Sequence, residues 1–213
     1  MKNIKLIIFD LDGTLVDAYP AIIRSFNYTM QKLGYPLQDA LTIRRAVGWG
    51  DENLLKPFVN LKDLKIAVLL YRRRHKIDLI KYSRLFPQVE TVLGRLKGKG
   101  YKLAVASNRP TKFSWILICH LKIAKYFDYV LCADKLRHIK PHPEILNKIM
   151  QKFSFKPDQT LYVGDMTIDV QAGRRAKVKT IIVTTGSNTR QEIKKEKPYR
   201  IIIRVVELLK VLL

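Results

Sequence analysis

The chain has 213 residues, of which 47% are hydrophobic, enough for a sizeable core and too many for wholesale disorder. No apolar run approaches the ~20 residues that a membrane span needs. Lys and Arg number 40 against 18 acids, a charge of +22 that attracts anions, yet the basic residues are dispersed and read as a solvated surface rather than a nucleic-acid track.

Residues 4–10 (IKLIIFD) are a continuous apolar run that ends in acid, the pattern of a strand buried on both faces. The opening residues carry no signal-peptide pattern, so a cytoplasmic protein is expected. From Tyr19 to about Ile80 strand-like alternation is missing. There Ile22, Phe26, Met30 and Leu33 keep helical spacing, as do Leu64, Val68, Tyr71 and Ile77. Gly34, Pro36, the Gly48–Gly50 turn and Pro57 divide this stretch into several helices.

From Pro87 the rhythm changes. A helix face made by Val89, Val92, Leu93 and Leu96 precedes a strand over 101–107, then a helix from Pro110 to about Leu121. Further strands are predicted over 128–133, 160–165, 180–185 and 199–203, with helices over 143–153 and 168–177 and a last one near the C-terminus. This alternation predicts an α/β fold: a doubly wound, mostly parallel, Rossmann-like sheet of residues 1–16 and 82–213, with a small all-α unit of residues 17–81 inserted. Cys119 and Cys132 sit in apolar settings and read as core thiols. With His120 and His138 they lack the paired spacing of a zinc site.

Open parallel sheets work at the carboxyl ends of their strands, and these ends are chemically distinctive here. The first strand runs into Asp10 and Asp12, with Thr14 just beyond; the 101–107 strand ends in Ser107 and Asn108; the 160–165 strand ends in Asp165, with Asp169 four residues on. Lys140 precedes the 143–153 helix. Four acids gathered at one edge repel one another unless a cation compensates them, and Mg²⁺ takes oxygen ligands from two or three acids plus water. A carboxylate can also attack phosphorus covalently, leaving equatorial charge for lysine, hydroxyl and backbone donors to stabilise.

The segments DLDGT, SN, the Lys of KPHPE, and GDMTID together resemble the four motifs of the haloacid dehalogenase superfamily. The likeness spans essentially the whole chain. The helical insertion resembles the small cap of one subgroup, and FDLDGTLVD is typical of phosphoglycolate phosphatase-like members. This resemblance implies a phosphatase in which Asp10 is the nucleophile and Asp12 the general acid/base. It implies Mg²⁺ held by Asp10, Asp165, Asp169 and the Asp12 carbonyl. Thr14 and Ser107 would bind phosphoryl oxygens, with backbone amides near Leu11 and Asn108, while Lys140 would hold nucleophile and phosphate charge.

The cap would set substrate choice and exclude water. Within it the Gly48–Trp49–Gly50 turn is placed to reach over the site, and Arg45 is the candidate contact for a substrate anion. Trp49 is the candidate cap side chain at the site or in the cap core. Arg72, Arg73 and Arg74 read as a surface run. His142 is not needed as an acid/base, because Asp12 fills that role. The expected partner is a small phosphorylated metabolite, with a β-phosphoglucomutase-like mutase or a pyrophosphatase as alternatives and a nucleic-acid-binding or scaffold role less favoured. Whether the chain is a monomer or a dimer is not legible.

Overall fold

In the computed structural model, which describes Met1 and residues 3–212, the first apolar run becomes strand β1 (Leu6–Phe9), fully buried. A two-residue strand β2 (Val16–Asp17) pairs antiparallel with β3 (Arg84–Leu85). Between these two short strands the chain is helical: α1 (Tyr19–Leu33), α2 (Ala40–Ala46), α3 (Asp51–Leu55) and α4 (Leu64–Tyr82), with two 3₁₀ turns before α4. Helix α1 stops at Gly34, whose φ of 73° suits a residue without Cβ. Helix α2 starts because the Asp39 carboxylate accepts the Leu41 and Thr42 N–H groups, a cap worth about 1 kcal/mol.

Beyond the short β2–β3 ribbon the expected alternation follows. It comprises α5 (Val89–Gly98), β4 (Lys102–Ser107), α6 (Thr111–His120), β5 (Tyr129–Cys132), α7 (Glu144–Phe153), β6 (Thr160–Gly164), α8 (Thr167–Arg175), β7 (Lys179–Val183), α9 (Arg190–Lys195), β8 (Arg200–Ile202) and α10 (Leu208–Leu212). Six strands form one sheet in the order β5-β4-β1-β6-β7-β8, every neighbouring pair parallel. The chain therefore runs from β1 to one edge, returns, and runs to the other. The reversal falls beside β1, where a crevice opens beyond the strand ends.

Strand alternation feeds two hydrophobic layers. Ile7 and Phe9 face the larger cluster, which is continuous with Ile22, Phe26 and Tyr71 of the helical cap. Leu6 and Ile8 face the other layer, against Ile145 and Ile149 of α7. Each such fully buried aliphatic side chain contributes about 1.5–3 kcal/mol.

Three local expectations are corrected. Helix α4 does not bury Ile77, which is 57% exposed; its inward stripe is Ala67, Tyr71, His75, Asp78 and Leu79. Apolar residues all round that helix blur the period. Cys119 is exposed rather than in the core, while Cys132 is buried; both are free thiols. Helix α9 was not anticipated, although Thr189 and Glu192 form the reciprocal cap that a T-x-x-E spacing announces. No helix among the described residues is long and apolar enough to cross a membrane.

Candidate active site

Asp10 continues β1 beyond its last paired residue, its N–H donating to the Val163 carbonyl at 2.8 Å. The chain then turns sharply at Gly13 (φ 77°), closed by the Gly13 N–H on the Val16 carbonyl at 2.8 Å. Asp165 follows β6, Asp169 lies in the first turn of α8, and Lys140 precedes α7. These separate segments meet: carboxylate oxygens of Asp10, Asp165 and Asp169 lie within 4.8 Å of one another, all three residues buried.

Lys140 is the hub of the cluster and only 1% exposed. Its Nζ lies 2.9 Å from Asp10 Oδ1 and 2.9 Å from Asp169 Oδ1, 3.0 Å from the Tyr162 hydroxyl and 3.1 Å from the Ala106 carbonyl. Burial works against its charge, but Asp10 and Asp169 outweigh that and hold its pKa above the ordinary lysine value. Asp10 is pushed up to about 7, first by burial and then by Asp169 and Asp12, with Lys140 opposing. Asp169 is saturated. Oδ2 accepts the Asp165 and Met166 N–H groups at 3.1 and 2.9 Å, and Oδ1 accepts Lys140 and, at 2.6 Å, the Tyr162 hydroxyl.

Asp165 is the opposite case. Oδ1 accepts the Thr14 hydroxyl at 2.8 Å, but the buried Oδ2 has no partner among the described residues. Its carboxyl is pushed well above the usual range by burial, then by Asp169 and Asp10. Gly13 and Gly186 pack so tightly on it that a Cβ at either position would overlap the carboxylate. An orphaned buried oxygen beside two further acids is what a divalent cation would relieve, so this donor set fits one.

Asp12 turns away from that cluster. Both of its oxygens are taken side-on by Arg109, from Nε and Nη2 at 2.8 Å each. Arg109 follows the Ser107–Asn108 pair at the end of β4 and is itself buried; its N–H donates to Ser107 Oγ at 3.1 Å. Its third nitrogen, Nη1, lies 2.6 Å from His75 Nε2 in the cap. A guanidinium only donates, so His75 Nε2 accepts and the neutral ring carries its proton on Nδ1. That proton points to Ser25 Oγ at 3.1 Å, and Ser25 lies 3.0 Å from Asp78 Oδ2, which also accepts Arg74 Nε at 2.9 Å. Burial, then the Arg109 charge, keeps the imidazole pKa well below its usual value.

The Gly48–Gly50 turn reaches the site as expected, but through its backbone. Asn108 Nδ2 donates to the Gly48 carbonyl at 2.8 Å and to the Lys140 carbonyl at 3.0 Å, while its Oδ1 accepts the Lys140 N–H at 2.9 Å. Under this turn lies a cavity of about 60 Å³ whose core wall includes Asp10, Asp12, Ser107, Asn108, Arg109 and Lys140. Its cap wall is mostly apolar: Ile22, Val47, Leu54 and Tyr71, with Asp51. Met166 and Ile168 complete the lining.

The amino-acid pattern of the haloacid dehalogenase-like hydrolase family matches residues 7–183. The chain belongs to this family. Among its relatives, a phosphoglycolate phosphatase of Nitrosococcus oceani is 32% identical over 98% of this chain and 96% of its own. Another of Aquifex aeolicus is 31% identical over 85% of each. A solved structure described as a predicted phosphoglycolate phosphatase, from Haemophilus somnus, superposes with a TM-score of 0.94 at 30% identity over the full length of both chains. This kinship makes the protein an enzyme, a hydrolase of the phosphatase kind.

Several candidates from the sequence fall outside this cavity or have their donors engaged elsewhere. Thr14 is fully buried and its hydroxyl serves Asp165, leaving none for a phosphoryl oxygen. Arg45 does not face the cavity; its Nη1 pairs with Glu192 of α9 at 2.8 Å, tying cap to core across a half-exposed surface. Trp49 is 42% exposed and packs neither in the cap core nor in the cavity lining. Two of the three surface arginines have partners: Arg72 pairs with Asp51 and Arg74 with Asp78. His142 Nδ1 accepts the Glu144 N–H at 3.2 Å, away from the cavity. Arg109, His75 and Tyr162 join this region without being among the residues expected from the sequence. Arg109 stands directly after the SN motif, a signal open to notice; His75 and Tyr162 carry none, because only packing turns them inward.

Proposed function

We propose that this hydrolase is a Mg²⁺-dependent phosphatase acting on a small phosphomonoester, phosphoglycolate or a close analogue, through a phosphoaspartate at Asp10. The observation that carries the reading is the convergence of Asp10, Asp165 and Asp169 on one buried point beside Lys140. Asp10 and Asp165 would hold the cation with the Asp12 carbonyl; Asp169, its acceptor sites taken by Lys140, Tyr162 and two backbone N–H groups, would add negative charge beside it rather than a ligand. When bound, the cation supplies charge compensation to the carboxylates and to the phosphoryl oxygens.

The Asp10 carboxylate attacks phosphorus as the ester P–O bond breaks, and the leaving oxygen takes a proton from Asp12. Water then attacks the phosphorus of the acyl phosphate, giving a proton back to Asp12 and freeing inorganic phosphate and the Asp10 carboxylate. Lys140 holds Asp10 in place, and Ser107 with backbone N–H groups near Leu11 and Asn108 receives phosphoryl oxygens.

A cavity of about 60 Å³, well below the ~300 Å³ at which sites for larger ligands begin, suits a small substrate. That size disfavours nucleic acid, and the apolar cap wall offers few partners for sugar hydroxyls, which favours a phosphatase over a mutase. The names of the relatives favour phosphoglycolate. The division into a core of residues 1–16 and 82–213 and a cap of 17–81 belongs to the same reading, supported by the β2–β3 ribbon at the crossing. A panel of phosphorylated metabolites assayed with Mg²⁺ and with EDTA tests it. Phosphate release should require the metal, and Asp10→Asn should lower kcat by at least about 10³-fold while leaving the fold intact, on the scale of losing a nucleophile. Undiminished turnover by Asp10→Asn would refute the mechanism.

A further inference from the structure

Asp12 must offer an oxygen to the leaving group, yet both its oxygens are engaged by Arg109. The same guanidinium has five N–H bonds, of which three are used, two on Asp12 and one on His75. Two remain among the described residues, in a side chain that lines the cavity. The only other basic side chain in that lining, Lys140, is consumed by Asp10 and Asp169. A second anionic group on a substrate therefore has one place to go.

We propose that Arg109 exchanges carboxylates: it holds Asp12 while the cavity is empty and passes to a carboxylate of the bound substrate, which frees Asp12 as acid and base. This rests on the phosphatase reading and adds to it a selectivity residue that couples recognition to chemistry. The group that displaces Asp12 is a carboxylate, because the side-on pair already made is with one, at 2.8 Å on each arm. His75 keeps the arginine from leaving the site. It accepts from Nη1, on the side away from the Asp12 pair, and is itself fixed by Ser25 and Asp78. The guanidinium can thus swing between two carboxylates about a held nitrogen. A phosphomonoester without a carboxylate leaves Asp12 latched and is turned over slowly.

The test compares 2-phosphoglycolate with ethyl phosphate, a similar ester that lacks the carboxylate, with Mg²⁺ present. The wild-type enzyme should prefer phosphoglycolate in kcat/KM. In Arg109→Met that value should fall at least 100-fold, while kcat/KM for ethyl phosphate rises because Asp12 is released. Arg109→Lys keeps the charge but cannot grip a carboxylate side-on, and should fall between the two. It guards against a methionine variant that fails to fold.

A parallel fall for both esters overturns the exchange and makes Arg109 a support of Asp12 alone. Calorimetric binding of both esters to Asp10→Asn, with and without Arg109→Lys, reads recognition without turnover. There the lysine change should weaken phosphoglycolate at least 10-fold and spare ethyl phosphate; equal weakening overturns the proposal. If the wild type hydrolyses neither ester but this binding difference stands, the phosphatase reading fails and the carboxylate contact survives.

Discussion

Asp165 shows how a single side chain can be built for something other than stability. Its Oδ2 is buried without a donor between two glycines that could not carry a Cβ. Left so, a charged carboxylate is costly, and its upward-shifted pKa expresses that cost. Asp165→Asn keeps the shape and removes the charge, so the metal-free variant should melt above wild type. Mg²⁺ at a hundredfold excess over Kd stabilises a binding protein by about 2.7 kcal/mol, several degrees of Tm at this chain length. Wild type should show that rise and Asp165→Asn should lose it. Thermal shifts with Mg²⁺ and with EDTA check this, and an unchanged rise in the variant would remove Asp165 from the cation site.

At the scale of elements, helices α1 and α4 meet through a buried polar chain as well as through apolar contacts. Ser25 of α1 lies between His75 and Asp78 of α4, and His75 carries the chain on to Arg109 in the core. The pKa of His75 in the folded state lies well below the ordinary 6.5. Between those two values the unfolded chain binds more protons than the folded one. The contribution of a neutral His75 is therefore fully present above about pH 6.5 and is lost as pH falls toward the folded pKa. Asp10 and Asp165, shifted upward, act in the opposite sense, so the comparison must be with a variant. Relative to His75→Gln, wild type should lose about 1.4 kcal/mol per pH unit below 6.5 in urea unfolding. Parallel pH curves would mean that the ring is not held neutral.

The elements also show what could be read beforehand. Strands β1, β4 and β6 announce themselves as apolar runs that end in polar residues, and those endings meet at the candidate site. Ribbon strands of two residues, such as β2 and β3, are too short to show a period. Side-chain aim was the harder matter. Thr14 turns to Asp165 and Arg45 to Glu192 because of partners more than 140 positions away. Nothing local distinguishes the buried His75 of α4 from neighbours on the same helix that face water, such as Ile77.

For the whole molecule, the charge of +22 acts at long range. A small anionic ester approaching this enzyme is drawn by a field that salt screens over roughly 10 Å at 0.1 M. At substrate concentrations well below KM, kcat/KM should therefore fall several-fold between about 0.02 and 0.2 M KCl, with kcat far less affected. A flat salt profile would assign the basic surface no part in capture.

The two ends of the helical insertion leave the core side by side through the β2–β3 ribbon, since Val16 pairs with Leu85 and Asp17 with Arg84. To the rest of the chain, this excursion of more than sixty residues is a loop whose ends are already closed. Its length and contents can change at little entropic cost to the strands that carry the acids. Such a junction lets a lineage exchange lids and keep its chemistry. It also marks where a foreign lid could be grafted onto this scaffold.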